Sequence, residues 1–216
     1  MKVLLINGSP NELGCTHRAL VEVASALAES GIESELLHIG HGPVRGCIGC
    51  GGCARSGKHR CVFGDDPVNA ALDRMDGCDG LVIGSPVHYA SAGGSITSFM
   101  DRFFYAGGAG MRGKVGAAVV SARRAGTTAA LDQLHKYFYI SGMPIAPSQY
   151  WPMVHGSTPA QVEQDEEGLQ IMRTLGRNMA YMLRAFDAAR EKGINFPAPE
   201  PERKRTNFIR GTASDG

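Results

Sequence analysis

Two short segments of this chain concentrate residue types that do chemistry. The first is Asn7-Gly8-Ser9-Pro10 with Gly14-Cys15-Thr16. Ser9 and Thr16 supply hydroxyl donors in a Gly-rich loop. A loop of this kind between a strand and a helix offers free N–H groups at the positive end of a helix dipole, and both favour an anion. The dinucleotide fingerprint needs three glycines at fixed offsets, and the triphosphate loop needs Gly-Lys before Ser or Thr. Neither pattern is present, and a hydroxyl-rich loop without Lys suits a terminal monophosphate. The alternative is an ordinary turn with Ser9 or Thr16 as helix N-cap. The second segment places Cys47, Cys50 and Cys53 three residues apart, with Cys61 eight residues further on. Two-residue gaps between thiolates suit a cubane iron–sulfur cluster. Gly49, Gly51 and Gly52 let the chain fold tightly around it. Four thiolates also suit tetrahedral zinc, although zinc sites usually pair two distant knuckles, and a metal-free loop is the third option.

These segments need elements to position them. Val3-Leu4-Leu5-Ile6 is an apolar run bounded by Gly and Pro, and predicts a buried strand. Leu20, Val23, Ala24 and Leu27 then recur at helical spacing. Strand two is expected over 34–39, and 40–64 is a loop dense in Gly and Cys. Asp65-Asp66-Pro67 reads as a helix start, with Val68, Ala71, Leu72 and Met75 facing inward. Strand three covers 80–84, a helix runs from about 94 to 105, and strand four covers 114–121. Thr127 or Thr128 can cap the next helix, whose inward face is Leu131, Leu134 and Phe138. Strand five is expected at 144–148, and a long helix over 165–192. Alternating strands and helices imply a parallel sheet with helices on both faces. Ligands of such sheets bind at the carboxyl ends of the strands, so the loops after strands one, three and four are the informative ones.

Composition bounds the class. The chain has 216 residues, 43% hydrophobic and 20% charged, with a formal net charge of +1. That is ordinary globular composition. Arg203-Lys204-Arg205 is too short for a nucleic-acid footprint, and no apolar run approaches a bilayer span. The expectation is a cytoplasmic protein with no nucleic-acid or membrane partner. Its cysteines are then reduced, metal-bound or catalytic. Cys78 fits a small buried hydrophobe and Cys15 a packing role at the helix start.

Asn7-Gly8-Ser9-Pro10 with Gly14-Cys15-Thr16, then Gly84-Ser85-Pro86-Val87-His88-Tyr89 with Asp101-Arg102, resembles the flavodoxin-like NADPH-dependent FMN reductase family. The run Cys47 to Cys53, with Cys61 and Asp65-Asp66, is similar to its iron–sulfur flavoprotein branch. Ser121 to Thr128 and the tail Thr206 to Arg210 resemble a subgroup of the same oxidoreductases. The resemblance implies a doubly wound, five-stranded flavodoxin-like α/β domain over residues 1–195 and an extended Pro-containing tail over 196–216. It implies FMN, with NAD(P)H as electron donor. Ser9, Pro10, Cys15 and Thr16 would cradle the FMN phosphate. Pro86, Val87, His88 and Tyr89 would border the isoalloxazine ring, and Ser121, Arg123, Arg124, Gly126 and Thr127 its pyrimidine side. Many relatives carry Tyr where this chain has His88. That puts a titratable group near the flavin, either for proton transfer or simply bonded to backbone. Cys47, Cys50, Cys53 and Cys61 would be the ligands of a [4Fe–4S] cluster if one is bound.

The expected activity is transfer of hydride from NAD(P)H through FMN to a small acceptor: a quinone, a nitro or azo compound, or free flavin. The alternatives are an electron carrier, with FMN alone or with a cluster, and a flavin-sensing module. The 94–105 helix carries Ile96, Phe99, Met100, Phe103 and Phe104, more than one sheet face needs, and suggests a homodimer or homotetramer. Tyr150 and Trp151 would cover a flavin across that dimer or pack on the tail, and Phe208 and Ile209 would dock the tail.

Overall fold

A computed structural model describes residues 1–202 and Lys204. The expected contacts of Phe208 and Ile209 lie outside the described residues. Five strands run parallel: β1 (Lys2–Asn7), β2 (Glu33–His38), β3 (Gly80–His88), β5 (Val115–Ala122) and β6 (Met153–His155). Their order is β2-β1-β3-β5-β6. A sixth strand, β4 (Ser91–Ala92), folds back antiparallel on the end of β3. The five-stranded parallel sheet is as expected, and the short hairpin is added to it.

Side chains alternate across each central strand. Leu4, Ile6, Leu81, Ile83, Ala118 and Val120 pack under α3 (Val68–Met75), α4 (Gly94–Gly107) and α5 (Thr127–Ile140). Val3, Leu5, Val82, Val115, Ala117 and Val119 face α1 (Cys15–Glu29) and α7 (Glu166–Glu191). Both faces of β1, β3 and β5 are buried, so these strands read as continuous apolar runs. The Asp65-Asp66-Pro67 start leads into α3, whose Val68, Ala71, Leu72 and Met75 are all buried. Asp165 caps α7, its carboxylate accepting from the Gly168 N–H at 2.9 Å. One further short helix, α2 (Gly52–Ser56), lies within the cysteine loop, and α6 (Pro159–Val162) precedes α7.

The fifth parallel strand is displaced from its expected place. Ile145 makes only an isolated bridge to Gly116, and continuous pairing resumes at Met153 opposite Val120. Proline has no N–H to give a ladder, and Pro147 and Pro152 bracket the intervening loop. Tyr150 and Trp151 project from that loop, each about half exposed. The apolar surplus of α4 is taken up inside the chain: Ile96, Phe99, Met100, Phe103 and Phe104 are all buried in the core beneath α3 and α5. The surplus therefore says nothing about assembly. Beyond α7, Arg112 donates from Nε and a terminal nitrogen to the Pro197 carbonyl, so the first tail residues dock on their own chain.

Candidate functional site

The sheet order reverses between β1 and β3, and the crevice outside their carboxyl ends is where such sheets hold ligands. The first wall is the segment joining β1 to α1. Gly14 is the N-cap of α1, and no side chain caps it. The first intrahelical bond runs from the Arg18 N–H to the Gly14 carbonyl, so the amides of Cys15, Thr16 and His17 precede the ladder and face out of the helix end. The capping alternative therefore does not form. Ser9 Oγ accepts from the Asn11 N–H at 3.1 Å, and Thr16 Oγ1 lies 2.8 Å from Ser121 Oγ. Three uncapped amides at a dipole's positive end suit a phosphate.

Asn7 makes that wall rigid. It is fully buried; its Oδ1 accepts from the Ser9 N–H at 3.0 Å and its Nδ2 donates to the Glu12 carbonyl at 2.9 Å. His38 Nε2 lies 2.8 Å from the Ser9 carbonyl. A Cβ on Gly8 would come within 2.5 Å of the buried Ile96 Cβ, so α4 packs directly on the turn. Neither Asn7 nor Gly8 is marked as a site residue by its type alone. An Asn closing a strand before Gly-Ser is the available signal, because its side chain bonds backbone two residues on.

The second wall is the β3–β4 hairpin. Val87 and His88 pair with Ala92 and Ser91, leaving Tyr89 and Ala90 as the turn, at φ 50° and 58°. Two-residue hairpin turns of this hand need positive φ at both centres and normally use Asn or Gly. Non-glycine residues there cost roughly 1–2 kcal/mol each, so something must hold them. Gln133 Oε1 accepts from both Ser91 Oγ (2.7 Å) and the Ala92 N–H (3.1 Å). Ser85 Oγ accepts from the Gly93 N–H at 3.0 Å. His88 and Tyr89 are exposed at the tip, Tyr89 completely. Pro86 and Val87 below them are half-buried.

The third wall joins β5 to α5. Gly126, not Thr127 or Thr128, is the N-cap of α5, at φ 92° and without a side-chain cap. Thr127 is the first helical residue and is buried. Arg123 and Arg124 are exposed and form no ion pair among the described residues. The Thr16–Ser121 hydroxyl pair ties this wall to the first one. Cys15 donates to the Gly156 carbonyl at 3.4 Å, and burial pushes its thiol pKa up. What Cys15 offers a phosphate is thus its backbone N–H. Loss of the buried Thr16–Ser121 bond leaves one hydroxyl unpaired, so Thr16→Ala is expected to weaken flavin phosphate binding about tenfold, about 1–2 kcal/mol. Ser121→Ala should do the same, and the double variant should cost little more than either alone, measured by FMN fluorescence quenching.

The cysteine loop follows β2 and lies against α4. Cys47 and Cys50 are exposed, and Cys53 and Cys61 half-buried. The Gly49 N–H donates to Cys47 Sγ (3.4 Å) and the Gly52 N–H to Cys50 Sγ (3.5 Å). Cys53 Sγ donates to the Tyr105 carbonyl at 3.7 Å. Gly49 and Gly51 turn the chain between cysteines at φ 64° and 65°. Among the described residues no three His, Cys, Asp or Glu side chains are gathered tightly enough for a single metal ion. The donor chemistry fits an iron–sulfur cluster: thiol ligands on a glycine-turned segment, with N–H groups already directed at sulfur. Arg102, on α4, anchors the far end of this loop. It is 1% exposed, ion-paired with Asp66, whose side chain is 4% exposed, and donates to the Arg45 and Phe63 carbonyls and to Cys61 Sγ.

Residues 1–158 match the family model described as NADPH-dependent FMN reductase. An iron–sulfur flavoprotein of Methanocaldococcus jannaschii is 34% identical over 193 residues, covering 85% of this chain and 98% of the relative. An iron–sulfur flavoprotein of Archaeoglobus fulgidus is 30% identical over 172 residues, covering 78% and 83%. Among solved structures, an NAD(P)H:quinone oxidoreductase from Methanothermobacter marburgensis superposes with a TM-score of 0.61 at 17% identity, over 83% of this chain and 96% of that one. At that identity the likeness is one of fold.

Proposed function

Because the chain belongs to the NADPH-dependent FMN reductase family and is an FMN-containing oxidoreductase, we propose that it passes electrons from NAD(P)H to a small acceptor such as a quinone, a nitro or azo compound, or free flavin. The observation that carries this reading is the convergence of three walls at the carboxyl ends of β1, β3 and β5, with the uncapped α1 terminus at their base. When bound, FMN supplies hydride acceptance from nicotinamide and electron delivery to the acceptor.

The chain's own residues do the rest. The Cys15, Thr16 and His17 amides and the Ser9 hydroxyl hold the phosphate. Pro86 and Val87 border the ring, and Gly126 and Thr127 close its pyrimidine side near Arg123 and Arg124. His88 and Tyr89, at the open tip of the hairpin, are positioned to meet whichever substrate stacks there. The fold has no separate nicotinamide domain among the described residues, so donor and acceptor use one exposed face in turn. The reaction class, which draws on NAD(P)H, fits a cytoplasmic protein. No helix among the described residues is long and apolar enough to cross a membrane.

The test is anaerobic mixing of FMN-loaded protein with NADH or NADPH. Loss of the flavin's visible absorbance within minutes, and its return on adding a quinone, is the expected outcome. Absorbance unchanged by both nucleotides would remove the reductase reading. The second reading, an iron–sulfur flavoprotein carrying electrons onward singly, is favoured by the four-cysteine loop with its N–H···S bonds. The curated relatives bear that name. Iron and acid-labile sulfide on protein reconstituted without oxygen decide it, with about four of each expected per chain.

A further inference from the structure

Among the described residues Arg102 is the largest fully buried side chain, yet it sits under an exposed loop rather than at the flavin crevice. Each of its three nitrogens is engaged. Nε donates to Cys61 Sγ at 3.2 Å, one terminal nitrogen serves Asp66 and the Arg45 carbonyl, and the other serves the Phe63 carbonyl. The Phe63 ring is covered by the guanidinium groups of both Arg45 and Arg102, at 4.5 and 5.2 Å from its centroid. Cys61 is fixed on its other side as well: its N–H donates to Asn69 Oδ1 (2.9 Å) and its carbonyl accepts from Asn69 Nδ2 (3.0 Å). The other three cysteines have nothing comparable. The Cys47 and Cys50 sulfurs accept only backbone N–H groups from two residues away.

We propose that Arg102 is a positioning and redox-tuning residue for Cys61, which it holds as the one rigid thiolate ligand of the loop through its Nε–H···Sγ bond. The proposal rests on the iron–sulfur reading above. A donor hydrogen bond to a ligand sulfur stabilises the more negative, reduced form of a cluster and raises its potential. A planar fork is the side chain able to reach Cys61 and Asp66 together, whereas a lysine ammonium on a flexible stem cannot satisfy both directions. Arg102→Lys therefore keeps the positive charge and the Asp66 ion pair but removes the bond to sulfur. A merely structural ion pair would leave the potential unmoved by this change.

The test is a dithionite titration of anaerobically reconstituted protein, followed by the electron paramagnetic resonance signal of the reduced cluster. Iron content, FMN content and circular dichroism serve as controls. Arg102→Lys is expected to load iron and FMN as the parent does and to shift the cluster's one-electron equilibrium toward the oxidised form at least tenfold, which is 59 mV downward. An unchanged potential in a fully loaded variant would overturn the proposal. Absence of iron in the reconstituted parent would instead overturn the iron–sulfur reading beneath it. Should Arg102→Lys not fold, the parent protein labelled with 15N-arginine answers the question. The reduced cluster should show a nitrogen coupling in electron–nuclear double resonance that survives Arg45→Lys, and absence of that coupling would equally overturn the proposal.

Discussion

Gly126→Ala is expected to reduce FMN affinity at least a hundredfold while leaving the fold intact. Gly126 caps α5 at φ 92°, a conformation L side chains rarely adopt. A Cβ there would stand 2.5 Å from the Ala90 Cα and 2.9 Å from the Val87 Cγ1. The first is backbone, so no rotamer change relieves the contact. The hairpin cannot retreat cheaply, because Gln133 holds Ser91 and Ala92 just after the turn and Ser85 holds Gly93. Its two central residues already occupy the left-handed region. The free protein relieves the strain of a left-handed alanine, about 1–2 kcal/mol, by shifting the α5 start away from the hairpin, so FMN binding must reimpose it together with the wall contact. A combined loss near 2.7 kcal/mol is about a hundredfold in affinity. Fluorescence titration of FMN with apoprotein reads the effect, and an affinity within threefold of the parent would show that the two walls do not jointly contact the flavin. Because the contact lies at the rim, far-ultraviolet circular dichroism should not change.

The second large effect is on stability. Arg102→Met is expected to cost about 3–5 kcal/mol, because it strands the Asp66 carboxylate, whose side chain is only 4% exposed. Burial works against the charge on Arg102, but the bonds to Asp66 and Cys61 outweigh it and hold the guanidinium pKa above its usual value. For a domain of this size the loss corresponds to roughly 6–20 °C in unfolding temperature. Adding Asp66→Leu should recover most of it, since replacing both partners of a buried pair by apolar groups is often near neutral. Urea unfolding of the single and double variants checks both statements. A single-variant cost below 1 kcal/mol would mean that the loop simply opens to solvate Asp66.

The same cluster shows the limit of reading this chain from residues alone. The α3 start was legible because its signals are local: two acidic residues, a proline, then apolar residues at helical spacing. That Asp66 reaches 36 residues forward to a buried arginine was not, because an Arg on an amphipathic helix ordinarily faces solvent. The three candidate loops were legible in the same way, from Gly, Ser, Thr and Pro clusters following apolar runs. Their roles within the site were less so. Thr16 reads as a cap or a phosphate donor, whereas its hydroxyl is bonded to Ser121, 105 residues away. The turn strain at Tyr89 and Ala90 carries no compositional mark, since neither is a residue that favours such a turn.

The sequence by itself determined the alternation of strand and helix, the inward faces of the helices and the loops that line the crevice. Each follows from one-sided burial, which leaves a period in the chain that needs no knowledge of partners. Tertiary structure decided where the last parallel strand pairs, which hydroxyls meet across the site, and which charge is taken into the core. Strand order brings Thr16 to Ser121 and α4 to the cysteine loop, and these meetings between distant segments set hydrogen bonding and desolvation. Local periodicity is silent about both, because it records which face of an element is buried and not what lies against it.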